Sequence, residues 1–338
     1  MRYRLVIVVG IVVAAATALS AQPVYQLHDN GNIWVSSGVP CSGVSCPGWH
    51  LLGNNPGTVE ITAAGVPAGG FDSTKASPDA PPLYQRRADG TILFYTGTPC
   101  NGRSCTGWQM IDKNPLTVSI VAAGTPIGTP PPTHLYKRHS DGAIWSYTGK
   151  PCVGESCPGW QQLDNNNRTV EMAAAGEELY QRRGDGTILR YKGTPCSSPT
   201  SCPEWELLDS NSSALEITAH MVGNRVELYQ RQVEKILRYR STGWELLDNN
   251  TRTISIVAGE FLYQLRNDGE ILFYNGPAGW QLLDKNTRNR QIAAGPRSLY
   301  KLQDDGAVLR YTGPQCEAGS CWQLLDTNPK RTLVSSRN

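Results

Sequence analysis

Seven tryptophans, Trp49, Trp108, Trp160, Trp205, Trp244, Trp280 and Trp322, each open a similar run, such as QMIDKN, QQLDNN or ELLDNN. This sevenfold repetition constrains the fold more than any other feature of the chain. Upstream of each Trp stand a segment like LYQRRADG and then one like TILFYTG; downstream, after an Asx-rich turn, comes one like TVSIVAAG. Each copy therefore holds four short runs of β-branched, aromatic and leucine residues separated by turn chemistry, which is a strand pattern. Asp89-Gly90, Asp141-Gly142, Asp185-Gly186, Asp268-Gly269 and Asp305-Gly306 are expected to supply the positive φ values of two-residue hairpin turns. No sustained 3.6-residue apolar period occurs after residue 21, so helices should be few.

Dividing residues 22–338 by seven gives about 45 residues per copy, the length of one four-stranded propeller blade. Such a unit cannot bury both faces alone; the stable object is the ring. The expectation is an all-β, seven-bladed propeller of antiparallel blades forming one domain over 22–338. The repeats begin at a second strand, VYQLHDNG, and finish with RTLVSSRN in the place of an inner strand. One blade should therefore be closed by a C-terminal inner strand joined to three N-terminal strands, leaving no open edge.

The unit resembles that of tectonin and tachylectin type β-propeller lectins. The match is carried in one copy by Gly124, Leu135-Tyr136, Asp141-Gly142, Ile144-Trp145, Gly149 and Trp160. The resemblance implies glycan binding. The chain departs from that pattern in placing Leu-Tyr-Gln where the family has a Trp-bearing strand, and in its paired cysteines, so no sugar specificity carries over.

MRYR followed by an apolar run from Leu5 to Leu19 and then ALSA reads as a secretory signal peptide over residues 1–21. Its removal takes Arg2 and Arg4 from 31 basic residues, leaving 29 against 29 acidic ones. A formally neutral chain has no basic footprint for nucleic acid or anionic membrane. A secreted monomer is expected, with no membrane span after signal cleavage and sequons at Asn167, Asn211 and Asn249.

All ten cysteines form close pairs between the third strand and the Trp: Cys41 with Cys46, Cys100 with Cys105, Cys152 with Cys157, Cys196 with Cys202 and Cys316 with Cys321. The pairs sit in separate copies with no companion His, which disfavours zinc. None has the CxxC redox spacing. They read as disulfide staples, each worth about 2 kcal/mol in the chain-entropy estimate. The copies with short loops, 239–244 and 274–280, lack them. The stapled loops share a face with two long Pro- and Gly-rich loops, 66–82 and 125–134, while the Asp-Gly and LDxN turns occupy the opposite face.

The chemistry to be expected is binding. The tryptophans and the Leu-Tyr-Gln tyrosines read as packing between blades. Tyr95, Tyr147, Tyr191, Tyr239, Tyr274 and Tyr311 lie nearer a loop and are the preferred rings for stacking on sugars. Gln85, Lys137, Gln181, Gln230 and Gln264, with Arg87, His139, Arg183 and Arg266 two places on, should face the neighbouring blade and pair either with each other or with a ligand. The LDxN aspartates read as Asx turns rather than calcium ligands, which need six to eight oxygens. None of the five histidines, His28, His50, His134, His139 and His220, stands in a nucleophile or zinc motif. No catalytic residue, metal or cofactor is expected. The function expected is multivalent glycan binding through inter-blade grooves, the alternative a protein-binding or structural propeller, and a glycan-cleaving enzyme ranks behind both.

Overall fold

The computed structural model describes residues 24–43, 45–64, 82–124, 134–203, 205–295, 298–313, 321–327 and, as backbone alone, 331–335. The expected signal peptide, Cys316 and nearly all of the two long loops lie outside the described residues. The chain forms seven four-stranded antiparallel sheets. Blade 2 comprises Thr58–Ala63, Leu83–Arg87, Thr91–Tyr95 and Trp108–Lys113, from the inner strand outward. The same order is followed by blade 3 from Thr117 to Asp164, blade 4 from Thr169 to Asp209, blade 5 from Ala214 to Asp248, blade 6 from Thr253 to Lys285 and blade 7 from Asn289 to Asp326. Blade 1 takes Val24–His28, Asn32–Ser36 and Trp49–Asn54 from one end of the chain and its inner strand, Arg331–Ser335, from the other. Arg331–Ser335 pairs antiparallel with Val24–His28 in unbroken register, so the ring closes as the repeat phase requires. Among the described residues the only helical element is a 3-10 turn at Gly276–Ala278.

The strands alternate because each blade has two faces to bury. Seven hydrophobic clusters result, one for each pair of adjacent blades. One of them joins Val121, Tyr136 and Leu163 of blade 3 to Met172, Leu189 and Trp205 of blade 4. With about 25 cal/mol for each Å² of apolar surface removed from water, these interfaces, rather than contacts within single blades, drive assembly.

The hairpins differ from the two-residue turns expected. Arg86 pairs with Ile92, and the Gly90 N–H donates to the Arg87 carbonyl at 3.0 Å, which makes a four-residue turn whose last residue is a single left-handed glycine. Gly90 has φ +81°, while Asp89 uses its side chain to accept from the Thr91 N–H at 2.9 Å. The Asx side chain holds the turn, so only the glycine needs positive φ. A Cβ at Gly90 would also lie 1.9 Å from the Asn114 carbonyl, because the LDxN turn of the same blade packs against it.

Four of the expected disulfides are present: Cys41–Cys46, Cys100–Cys105, Cys152–Cys157 and Cys196–Cys202. No cysteine is free among the described residues. Such pairs fit an oxidising compartment. No helix among the described residues is long and apolar enough to cross a membrane.

Candidate functional site

The polar series on the second strands faces the neighbouring blade, and there it is already engaged. Gln181 Nε2 donates to Asp164 Oδ2 at 2.7 Å, Gln230 Nε2 to Asp209 Oδ2 at 2.6 Å and Gln264 Nε2 to Asp248 Oδ2 at 2.9 Å. Lys137 Nζ donates to Asp112 Oδ2 at 2.7 Å and Lys301 Nζ to Asp284 Oδ2 at 2.5 Å. Every acceptor is the LDxN aspartate of the preceding blade. From the other side, Thr169, Thr253 and Thr58 donate their hydroxyls to the Oε1 of Gln181, Gln264 and Gln85. Gln85, Lys137, Gln181 and Gln264 are at most 2% exposed, so none of them walls an open groove; Lys137, Gln181 and Gln264 are latches between blades, while Gln85 is held by Thr58 of its own blade. Blade 1 has Gly53 where the other blades carry the aspartate.

The tryptophans add a second link in the same direction. Trp108 Nε1 donates to the Leu52 carbonyl at 2.7 Å, Trp160 to Ile111 at 2.9 Å, Trp205 to Leu163 at 3.2 Å and Trp244 to Leu208 at 2.9 Å. Trp49 closes the ring by donating to Leu325 at 2.9 Å. The six tyrosines expected to stack on sugars rest on these indoles, with ring centroids 5.1 Å apart for Tyr95 and Trp108 and 5.5 Å for Tyr274 and Trp280. Tyr147, Tyr191, Tyr239 and Tyr311 are placed in the same way. Tyr95 is buried, and its hydroxyl is pushed up to about 12 by desolvation, whereas the other five are half-buried. Tyr311 lines a cleft of about 770 Å³ between blades 6 and 7, together with Phe261, Phe273, Asn275 and Gln281.

The Arg and His series lies at the opposite end of the second strands. Arg87, His139, Arg183 and Arg266 pair with the first residues of the inner strands, Thr58, Thr117, Thr169 and Thr253. Arg266 is held by Glu270 at 3.1 Å, and His139 is buried against Trp145. The Nε atoms of Arg87 and Arg183 are buried without a hydrogen-bond partner.

Immediately after these inner-strand residues the register shifts by one, in blades 2 to 7. A bulge re-aims the extra side chain. In five consecutive blades that residue is apolar: Val59, Val118, Val170, Leu215 and Ile254. Four of them are 43–48% exposed, Val118 is half-buried, and the adjacent Leu116 is 46% exposed. In blade 7 the position is Arg290, bound to Asp304. The next residues inward, Glu60, Ser119, Glu171, Glu216, Ser255 and Gln291, line a central channel of about 360 Å³. Glu60, Glu171 and Glu216 are each paired with an arginine of their own blade: Arg86, Arg182 and Arg231. The five apolar residues therefore form a crescent at the mouth of that channel. Charged pairs in the adjoining turns, such as Arg168 with Asp185 and Arg252 with Asp268, flank it. The crescent is hidden in the sequence because a single extra residue at a bulge is invisible to strict period-two alternation; its signal is a second apolar place in the TVSIVAAG segments.

No protein-family model matches the chain, and no curated protein matches it. Solved propellers do match in shape. Prp20p from Saccharomyces cerevisiae, described with its binding to Gsp1p and histones, superposes with TM-score 0.54 and 10% identity over 95% of this chain and 93% of its own. Yeast RCC1 (Prp20) bound to Kap60 gives 0.53 and 10%, covering 93% and 84%. Apo AztD from Citrobacter koseri gives 0.51 and 10%, covering 93% and 97%. At this identity the likeness is one of fold.

Proposed function

We propose that this propeller binds a partner protein through the turn face, with the crescent at the channel mouth as the core of the interface. The observation that carries the reading is the recurrence of an exposed aliphatic side chain at one bulge position in five consecutive blades. Core packing does not require it, since each inter-blade cluster is complete without these residues. An apolar centre flanked by ion pairs is the anatomy of a protein–protein patch. Of the structural neighbours, Prp20p is described with Gsp1p and histones and yeast RCC1 with Kap60, which agrees with a binding role for such rings. The reading is of a secreted, non-enzymatic binding protein.

The test is affinity capture on immobilised mature protein, with Val170→Asp/Leu215→Asp/Ile254→Asp beside the wild type and Val233→Asp as a control. Val233 is 56% exposed and lies outside the crescent. One protein retained by wild type and control but not by the triple variant is the expected result. Equal retention by all three would remove the crescent from the interface.

The lectin-like reading suggested by the tectonin resemblance has one observation in its favour: Tyr311, with Asn275 and Gln281, lines the cleft between blades 6 and 7. That cleft is the glycan site this reading would use. A glycan array with wild type and Tyr311→Ala decides it, glycan binding lost in the variant being the supporting result.

A further inference from the structure

The cysteine-closed loops do more than hold themselves together: each lies across the outer strand of the preceding blade. The N–H of the first cysteine donates to the carbonyl of the third outer-strand residue there, Cys41 to Leu324 at 3.0 Å, Cys100 to Leu51 at 3.2 Å, Cys152 to Met110 at 3.3 Å and Cys196 to Gln162 at 2.9 Å. In three of the four loops a second link joins the residue three places on to the sixth residue counted from the tryptophan of the same outer strand. Asn54 Nδ2 donates to the Arg103 carbonyl at 2.7 Å, Lys113 to the Glu155 carboxylate at 2.6 Å, and Asn165 Nδ2 to the Pro199 carbonyl at 2.9 Å. In all four loops a proline precedes the donor cysteine: Pro40, Pro99, Pro151 and Pro195. Each strap thus presents a proline and a donor N–H, and three of them present an acceptor three residues later.

Blades 5 and 6 carry only the short connections 239–244 and 274–280, so the outer strands of blades 4 and 5 have no strap from the next blade. The equivalent places hold the same three parts: the Leu207 carbonyl, its side chain and Ser210 on blade 4, and the Leu246 carbonyl, its side chain and Asn249 on blade 5. No backbone N–H among the described residues reaches either carbonyl from a neighbouring blade. Leu207 is 59% and Leu246 53% exposed, whereas Leu51, Met110, Gln162 and Leu324, each beneath a strap, are half-buried; Leu282, at the same place on blade 6, is 54% exposed, but the cysteine loop that would lie over it falls mostly outside the described residues. An outer sheet edge with an uncovered leucine is a site for added chain.

We infer that Leu207 and Leu246 mark two docking sites for a proline-led reverse turn of a partner protein, which takes the position the chain's own straps take on blades 1, 2, 3 and 7. The occupant is identified by the intramolecular template: a Pro-X segment whose X N–H meets the leucine carbonyl and whose carbonyl three residues on accepts from Asn249 or Ser210. The sites lie on outer strands, away from the crescent, so this inference stands or falls independently of the turn-face reading.

The probe is the oxidised peptide TGTPCNGRSCTG, residues 96–107 of this chain, labelled and titrated into the full mature protein. Binding at both Leu207 and Leu246 is expected, each site in the micromolar to millimolar range. Leu207→Asp and Leu246→Asp should each remove one site and the double variant both, with Val233→Asp unchanged. N-methylation of the peptide nitrogen at Cys100 should weaken binding at least tenfold. Because both leucines are exposed, thermal melting of the variants should match wild type. A second variant guards against local distortion: replacing residues 240–243 with the strap segment 96–107 should cover Leu207 and leave one site. Absence of binding at millimolar peptide, or two sites surviving in the double variant, would overturn the inference. Concentration-dependent self-association that disappears in the double variant would overturn the foreign partner in favour of a second copy of this chain.

Discussion

Asp112 and Lys137 put the inter-blade latch to its sharpest test. Their side chains are 5% and 3% exposed and 2.7 Å apart. Lys137 Nζ also lies 4.3 Å from the Trp160 ring centre. Burial lowers the Lys137 pKa, and the attraction of Asp112 only partly offsets it. A lone ammonium in that place is costly: Asp112→Ala should destabilise the protein by about 3–5 kcal/mol. Lys137→Gln should behave quite differently. Blades 4, 5 and 6 already use glutamine there, with the amide donating to the aspartate at 2.7, 2.6 and 2.9 Å. The substitution gives up a cation–π contact worth roughly 0.5–2 kcal/mol but also the desolvation of an ammonium, so the net change should stay within about 1 kcal/mol. Guanidinium unfolding of the oxidised protein, followed by tryptophan fluorescence, measures both variants against wild type. Should Asp112→Ala cost under 1 kcal/mol, or Lys137→Gln cost as much as Asp112→Ala, the latch would not be the stabilising element described.

Two further outcomes follow from the same architecture. Burial lowers the pKa of His134, His139 and His220. Below about 6.5 the unfolded chain takes up protons that the folded chain refuses, so stability is fullest above that pH and falls with acidification by up to about 1.4 kcal/mol per pH unit for each residue. His139→Gln, borrowing the residue found at this place in blades 5 and 7 as Gln232 and Gln303, should shrink the difference in unfolding midpoint between pH 7.5 and 5.5; an unchanged difference would refute it. Deleting residues 331–338 removes the inner strand of blade 1 and should lower the melting temperature sharply and promote association in light scattering, whereas unchanged melting would contradict closure through that strand.

The number of blades and the mode of closure were legible because both depend only on repeat phase, which tryptophan spacing and the two chain ends report directly. Partner choice was not. Gln181 and Asp164 recur with the same period, and a bond within a blade and one between blades leave identical traces in a perfect repeat. In the sequence the LDxN aspartates accordingly look like Asx turns alone, although Asp164 Oδ2 also receives Gln181 from the next blade. Tyr95 next to a loop suggests exposure, but its ring is packed into the cluster between blades 1 and 2, with Leu52, Leu83 and Trp108. The unlatched exception, Gly53, was visible as a missing aspartate, yet its meaning required knowing that Trp108 Nε1 would lie 3.2 Å from a Cβ placed there.

These latches point one way, although Arg86, Arg138 and Arg182 also donate forward, at 3.3–3.5 Å, to inner-strand carbonyls of the following blade. The indole, the Gln or Lys head and the strap of a blade all reach back to the blade before it, never forward. A chain emerging from the ribosome N-terminus first therefore finds, for each blade from the third onward, a receiving edge already synthesised. Blade 2 meets only a three-stranded blade 1, and the indole of Trp49 must wait for Leu325, nearly the whole length of the chain away. The ring thus carries a growth direction in its bonding: accretion can proceed one blade at a time, and its first blade is the last to be completed.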